Sequence, residues 1–499
     1  MASAVLTVLS LLVVAAQTLV QRSSVVTTTL GPVQGLRKTV KGRDVDVYYG
    51  IPFARPPIGA LRFKHPQPAE PWNGVRNAVT KPNSCFQSPD TSFNRFSGVE
   101  MWNPNTPMSE DCLYLNVWVP RGFGSQPPRA TLVWIFGGGF WSGTSTLDVY
   151  DGSKLAAKEN VIVVSINYRL GPLGFLYTAT EDAPGNQGLL DQVMALKWVY
   201  DNVANFGGSQ ETVTIFGESA GAVSVGFHLM SPLSMNYFSR AILQSASPTA
   251  DWAVQSESQA TVRAQRLAST LGCPVSSIAG MVACLKSADA QNVTDSMWNL
   301  ISHYFELPFA PVVDNYFLPA HPRDLLARGE VKDTEIIIGT NKDEGIFWLL
   351  YAYADKFPLD NSGQLSRADF KQNVLKGLNF NGDEKRNDAI MYEYVDSVLP
   401  SARESYRDIA DDISGDDLFK CPVVNFAKAY AALRPTHDVY MYSFEHRLSN
   451  NPWPAWTGVM HGYEIEAMFG LPLDYNYTAE EEALAERVTA FWTRFAQFG

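Results

Sequence analysis

The chain has 499 residues, 46% of them hydrophobic and 18% charged, with a formal net charge of −12. That balance excludes a disordered or fibrous chain, and the absence of any basic run argues against nucleic acid as a partner. Length alone suggests about three domains, but one repeating βα pattern without a linker points instead to a single large domain over residues 23–499.

In chain order, Val5 to Val20 is an apolar stretch rich in Leu, Val and Ala, and the first charge is Arg22. It reads as a secretory signal spanning about residues 1–22, so the mature chain is expected to be extracellular. In that compartment the N-x-Thr acceptors Asn292 and Asn476 become glycosylation sites. The five cysteines are Cys85, Cys112, Cys273, Cys284 and Cys421. They should pair there, leaving one over.

Val33 to Tyr49 alternates as a small antiparallel hairpin. The loop Gly50 to Pro57 carries three prolines and is rigid. Strands follow at Leu115–Val119, Thr131–Phe136 and Val161–Asn167, then a helix over Leu189–Asn202. Four more strands are expected at Val213–Phe216, Ala241–Gln244, Glu335–Gly339 and Val439–Phe444. Apolar strands alternating with helices predict an α/β fold, with a large, mostly parallel sheet covered on both faces. The long mixed segments before Glu335 and over 346–438 are expected as helical insertions above the site. The last helix starts near Ala479 and runs into Gly499, and the chain is expected to continue beyond it.

The chemistry centres on Gly217-Glu218-Ser219-Ala220-Gly221. A β-branched strand enters this small-residue turn and a helical pattern leaves it, as a nucleophile elbow requires. Ser219 then needs a base, and the base needs an orienting acid. In the elbow arrangement the chain order is Ser, acid, His. Of seven histidines, His437, His446 and His461 follow a plausible acid, and His461 sits in a loop before a new apolar pattern. Asp343 and Glu344 both lie just past a strand end. Position does not choose between them, and the other is expected to be a helix cap or surface charge. Gly137-Gly138-Gly139 has no Cβ to keep a ligand from its N–H groups. The N–H groups of Gly138, Gly139 and Ala220 match a two-part oxyanion hole.

These stretches resemble the cholinesterases of the type-B carboxylesterase family. The resemblance runs from about Val33 to the end. It rests on Glu100-Met101-Trp102-Asn103-Pro104, Ser109 to Asn116, Gly137 to Gly143 with Leu147 to Tyr150, Phe216 to Gly221, Asn341 to Gly345 and His461 to Glu466. It implies an α/β-hydrolase fold with Ser219, Glu344 and His461 as the triad. It also implies the bridges Cys85–Cys112 and Cys273–Cys284, with Cys421 joined to a cysteine beyond residue 499. Trp102 would hold a quaternary ammonium against its ring face, an attraction of about 2 kcal/mol when desolvated, with Glu218 supplying negative charge nearby. Tyr150, Phe347 and Tyr351 would line the gorge. Asp90, Trp141 and Trp298 would form a peripheral rim. Trp252, Phe305 and Leu307 would bound the acyl pocket.

The leucine at 307 stands where acetyl-selective relatives carry phenylalanine. It predicts an enzyme that takes acetylcholine and tolerates butyrylcholine. The implied partner is a small cationic ester, with no cofactor and no metal. A homo-oligomer at the cell surface or synapse is expected, its membrane or collagen-like anchor lying in the C-terminal tail. Two alternatives remain. A general carboxylesterase is disfavoured by Trp102, Glu218 and Tyr150 together. A neuroligin-like adhesion ectodomain is disfavoured by the intact triad residues.

Overall fold

The computed structural model describes residues 21–122, 128–301, 305–360, 365–378, 383–398, 405–473 and 477–499. Most of the expected leader and the Asn476 acceptor lie outside the described residues. The strands that organise the chain are β1 (Arg22–Thr27), β2 (Pro32–Val40), β3 (Arg43–Pro52), β4 (Tyr114–Pro120), β5 (Arg129–Ile135) and β6 (Ile162–Ile166). They continue as β7 (Gly208–Glu218), β8 (Arg240–Gln244), β9 (Ile336–Asn341) and β10 (Val439–Phe444).

One sheet joins them in the order β1-β2-β3-β4-β6-β5-β7-β8-β9-β10. The expected hairpin is present as β2 and β3 and belongs to this sheet. Pairing is antiparallel from β1 through β4 to β6. From β6 through β5 and on to β10 it is parallel. The parallel half is where the sequence has its unbroken β-branched runs. Leu132 to Ile135, Val213, Ile215, Phe216 and Ala241 to Leu243 are all fully buried, as a strand covered on both sides requires.

Four helices matter to the site: α1 (Gln187–Asn202), α2 (Ala220–His228), α3 (Ile346–Ala352) and α4 (Ala479–Phe498). Helix α2 packs on β7 and β8, and α4 packs on β5 and β7. The insertion over 346–438 builds a second apolar cluster of its own, around Leu349, Phe370, Val395 and Ile409. Val99, Trp453, Met460 and Tyr463 join that cluster from outside the insertion. The roof is therefore packed onto the Cys85–Cys112 loop and onto the segment that carries His461. Both expected disulfides are formed, and among the described residues Cys421 is a free, exposed thiol.

A buried ion pair fixes the approach of α1. Arg169 reaches Asp191 through Nε at 2.8 Å and Nη2 at 2.7 Å, and its backbone N–H donates to the same carboxylate at 3.0 Å. Burial pushes the Asp191 carboxyl up, and the guanidinium works against that. Removing one member of such a pair leaves a bare charge in the core. Arg169→Met is therefore expected to destabilise the fold by about 3–5 kcal/mol, read by urea unfolding. Addition of Asp191→Leu should restore most of the loss; a double variant no more stable than the single would contradict this account.

Candidate active site

Ser219 is the residue between β7 and α2, and it has φ +56° and ψ −125°. A non-glycine residue tolerates this only when its surroundings hold it there. Its N–H donates to Gln244 O at 2.8 Å on the neighbouring strand, and its carbonyl accepts from Val223 N at 2.9 Å. The flanking glycines are required by contact. A Cβ on Gly221 would stand 2.1 Å from Ile135 O, and one on Gly217 2.5 Å from the same oxygen. Without side chains at these positions the strand, turn and helix close tightly enough to present the hydroxyl.

The acid loop follows β9. Glu344 is fully buried. One of its oxygens lies 2.6 Å from His461 Nδ1, and the other accepts from Asn341 N at 2.7 Å. The two carboxylates of this loop are thus distinguished by their partners. Asp343 is neither a helix cap nor a surface charge, contrary to the expectation for the second acid. Its Oδ2 accepts from Val459 N at 2.6 Å, and its own N–H donates to Val459 O at 3.0 Å. It ties the start of the insertion to the chain just before His461. The other candidate bases lie elsewhere, His437 beside Glu335 and His446 beside Glu481.

Around His461 the charge is concentrated and buried. Its Nε2 lies 3.1 Å from Glu218 Oε1. Glu464 stands one layer back, accepting from Gln244 Nε2 at 2.9 Å and Asn341 Nδ2 at 2.6 Å. Burial opposes a charged imidazole. The carboxylates of Glu218 and Glu344, the hydrogen bond that Glu344 accepts from His461 and the charge of Glu464 outweigh it and raise the His461 pKa. Burial likewise pushes the Glu218 carboxyl up, against the pull of His461.

Ser219 and His461 line one cavity of about 590 Å³. Gly137 and Gly138 line it too. A Cβ on Gly137 would be 3.0 Å from the Ser219 Cβ, so the glycine turn lies directly against the nucleophile. Gly138 and Gly139 have φ of +95° and +59°. Ala220 is the first residue of α2, so its N–H belongs to a helix N-terminus, where backbone donors have no intrahelical partner.

Across the cavity, the Trp102 and Tyr150 rings lie 6.4 Å apart. A Cβ on Gly462 would be 3.5 Å from Glu218 Oε1 and 3.9 Å from Trp102 Cη2. An indole and a carboxylate therefore converge beside the residue that follows His461. Phe347 and Tyr351 pack 5.1 Å apart, and Tyr351 Oη donates to Asp90 at 2.6 Å. At the rim Trp141 and Trp298 meet edge to face at 5.5 Å, with Trp298 38% exposed.

The acyl side departs from expectation. Phe305 lines the cavity, whereas Leu307 does not. The Leu307 side chain turns into the main core, and its carbonyl is held by Arg263. Trp252 is also off the wall. It packs behind Phe305 at 5.6 Å, its Nε1 donating to Leu418 O at 2.8 Å. Two rings that the sequence reading missed take part instead. Trp348 lines the cavity, 4.5 Å from Phe305 and 5.8 Å from His461. Phe419 packs on His461 at 4.4 Å. Trp348 directly follows Phe347 and could have been suspected from that; nothing in sequence marks Phe419. Of the glycosylation acceptors, Asn292 is exposed within a short helix, Ala290–Asp295.

Comparison with known proteins gives the family. The carboxylesterase family model covers residues 22–499. The chain is 45% identical to an acetylcholinesterase of Bungarus fasciatus over 479 residues, covering 95% of this chain and 78% of the relative. It is 46% identical to a cholinesterase of Mus musculus over 490 residues, covering 95% and 79%. An acetylcholinesterase of Danio rerio is 45% identical over 510 residues, covering 95% and 80%. An elbow serine, a carboxylate-held histidine and a family match from end to end agree, and the chain belongs to the carboxylesterase family.

Proposed function

We propose that this serine carboxylic ester hydrolase is secreted and acts on choline esters. The carrying observation is the convergence of Trp102 and Glu218 on Gly462, beside both Ser219 and His461. A cationic head held there by ring face and carboxylate leaves the ester carbonyl over the nucleophile. Ser219 Oγ attacks that carbon, and His461 Nε2 takes the proton while Glu344 holds the opposite nitrogen. The oxygen of the tetrahedral intermediate becomes negative, and the N–H groups of Gly138, Gly139 and Ala220 receive it. Choline leaves with the proton from His461. Water then attacks the acyl-serine with the same base, so the reaction needs neither metal nor cofactor. Similarity to the cholinesterases supports the substrate class. Among the described residues no helix is long and apolar enough to cross a membrane.

Loss of the Leu307 side chain from the wall removes one obstruction to a longer acyl group, leaving Phe305 and Trp348 as the rings on that side. The reading therefore includes butyrylcholine as a second substrate. Acetyl- and butyrylthiocholine should differ in kcat/KM by less than about a hundredfold, since a methylene in a pocket is worth only about 1–3 kcal/mol. A larger preference for acetyl would remove butyrylcholine from the reading.

Ser219→Ala should lower acetylthiocholine turnover by at least about 10⁴-fold. Undiminished turnover in that variant, or none in wild type, would falsify the esterase reading. The carboxylate of Glu218 favours the protonated imidazole, which cannot act as base. In Glu218→Gln that stabilisation is gone, so the His461 pKa falls and the acid limb of the kcat/KM profile moves to lower pH. An acid limb unmoved or moved upward would show that Glu218 does not act on His461.

A further inference from the structure

Two amide side chains outside the triad make an unusual contact, and they make it in series. Gln87 is 1% exposed. Its Oε1 accepts from Gly143 N at 2.9 Å and its Nε2 donates to Gly143 O at 2.8 Å. One side chain thus takes both backbone groups of one residue, as a strand partner would. The same Nε2 also donates to Cys85 O at 3.1 Å. Sixteen residues on, Asn103 repeats the contact on Asp90. Asp90 N donates to its Oδ1 at 2.8 Å, and its Nδ2 donates to Asp90 O at 2.9 Å. Asn103 directly follows Trp102.

These contacts form a continuous path. From Trp102 it passes through Asn103 to Asp90, along the short segment back to Gln87, and across to Gly143. Gly143 has φ +111°, and a Cβ there would meet the Phe136 ring at 2.4 Å and Gly137 O at 2.9 Å. Gly143 therefore lies against the first glycine of the oxyanion turn, and that glycine lies against Ser219. The same end of the turn is also held by Tyr168 Oη, which donates to Phe136 O at 2.8 Å. Gln87 thus holds both backbone groups of Gly143. Removing its amide would leave Gly143 N–H and C=O without these partners, a state a backbone avoids by moving.

We propose that Gln87 is a positioning residue that sets the oxyanion turn in register with the cation-binding loop, so that a head group seated on Trp102 finds its ester carbonyl under the Gly138 and Gly139 donors. The proposal rests on the esterase reading above. It assigns Gln87 no contact with substrate; it acts through Gly143. A displacement of even about 1 Å at an oriented site costs on the order of a hundredfold in rate, so a modest relaxation of Gly143 has a large effect on turnover.

The test uses two inhibitors that report on the two halves separately. Tetramethylammonium requires only the cation half. A neutral aryl trifluoromethyl ketone adds the Ser219 oxygen to its carbonyl carbon. The carbonyl π pair becomes an alkoxide in the oxyanion hole, and the serine proton passes to His461. In Gln87→Leu, kcat for acetylthiocholine should fall by at least about tenfold, with KM within about threefold. Ketone affinity should fall in step with kcat/KM, and tetramethylammonium affinity should stay within about twofold of wild type. Gln87→Glu retains the acceptor for Gly143 N but, as carboxylate, cannot donate to Gly143 O. It should show the same split more weakly, and it carries the test if Gln87→Leu does not fold.

Unchanged kcat and unchanged ketone affinity in a folded variant would overturn the proposal, leaving Gln87 a stabilising contact only. Equal weakening of both inhibitors would also overturn it, because Gln87 would then be holding the cation loop itself. A wild-type protein that neither hydrolyses the ester nor takes the ketone would instead bring down the esterase reading, a result distinct from either of these.

Discussion

Much of this molecule is arranged to keep one imidazole charged or chargeable in a largely buried place. His461 is enclosed by the carboxylates of Glu218, Glu344 and Glu464, all three buried. A buried carboxylate is costly unless its oxygens are used, and for Glu344 and Glu464 the chain supplies the donors from its most rigid parts. Asn341, at the end of β9, gives its backbone N–H to Glu344 and its amide to Glu464. Gln244, at the end of β8, gives its amide to Glu464 and accepts from Trp492 Nε1 of α4 at 3.1 Å. Two strand ends, the histidine loop and the last described helix therefore meet in one polar network within an apolar core. Such a network is rigid when complete and unfavourable when partly satisfied. The parallel half of the sheet, which aligns β7, β8 and β9, is what brings its members together.

The parts of this arrangement that were legible in sequence are those with local causes. Unbroken β-branched runs gave the parallel strands. The small residues around Ser219 gave the elbow, because the approach of Ile135 O leaves no room for a Cβ. The glycine triplet gave the oxyanion turn. What stayed illegible depends on contacts between distant residues. Asp343 and Glu344 are adjacent carboxylates in one loop, and only partners near position 460 separate them. Family resemblance named Glu344; no pattern in the residues did. Leu307 shows a second limit. In an extended segment a shift of one residue reverses which side chains face a cavity, and the spacing from Phe309 could not decide that. Phe419 comes from an insertion without any motif, and ring-on-ring packing leaves no mark in sequence.

The cavity itself is assembled from pieces that belong to different parts of the fold. The sheet supplies Ser219 and the glycine turn, the disulfide loop supplies Trp102 and Asp90, and the roof supplies Phe347, Trp348 and Tyr351. Catalytic geometry needs the first group to be rigid. Recognition of a cationic head, as proposed above, would need chiefly ring faces and nearby negative charge, which demand less of angle and distance. That difference explains why the polar contacts are dense around Glu344 and the glycine turn, whereas the rings meet mainly by packing.

One consequence follows from the small pairing of Asp343 with Val459 and Met460. The roof leaves the body of the protein just past this point, and the chain comes back through β10, which pairs with β9, before Val459 closes on Asp343. Acid and base are thus clamped twice, once by a strand pair of the sheet and once by this short bridge. A change in the roof between the two clamps reaches Glu344 and His461 only through the few side chains that touch them, such as Trp348 and Phe419. Substrate choice can thus drift in the rest of the roof while the chemistry stays where it is.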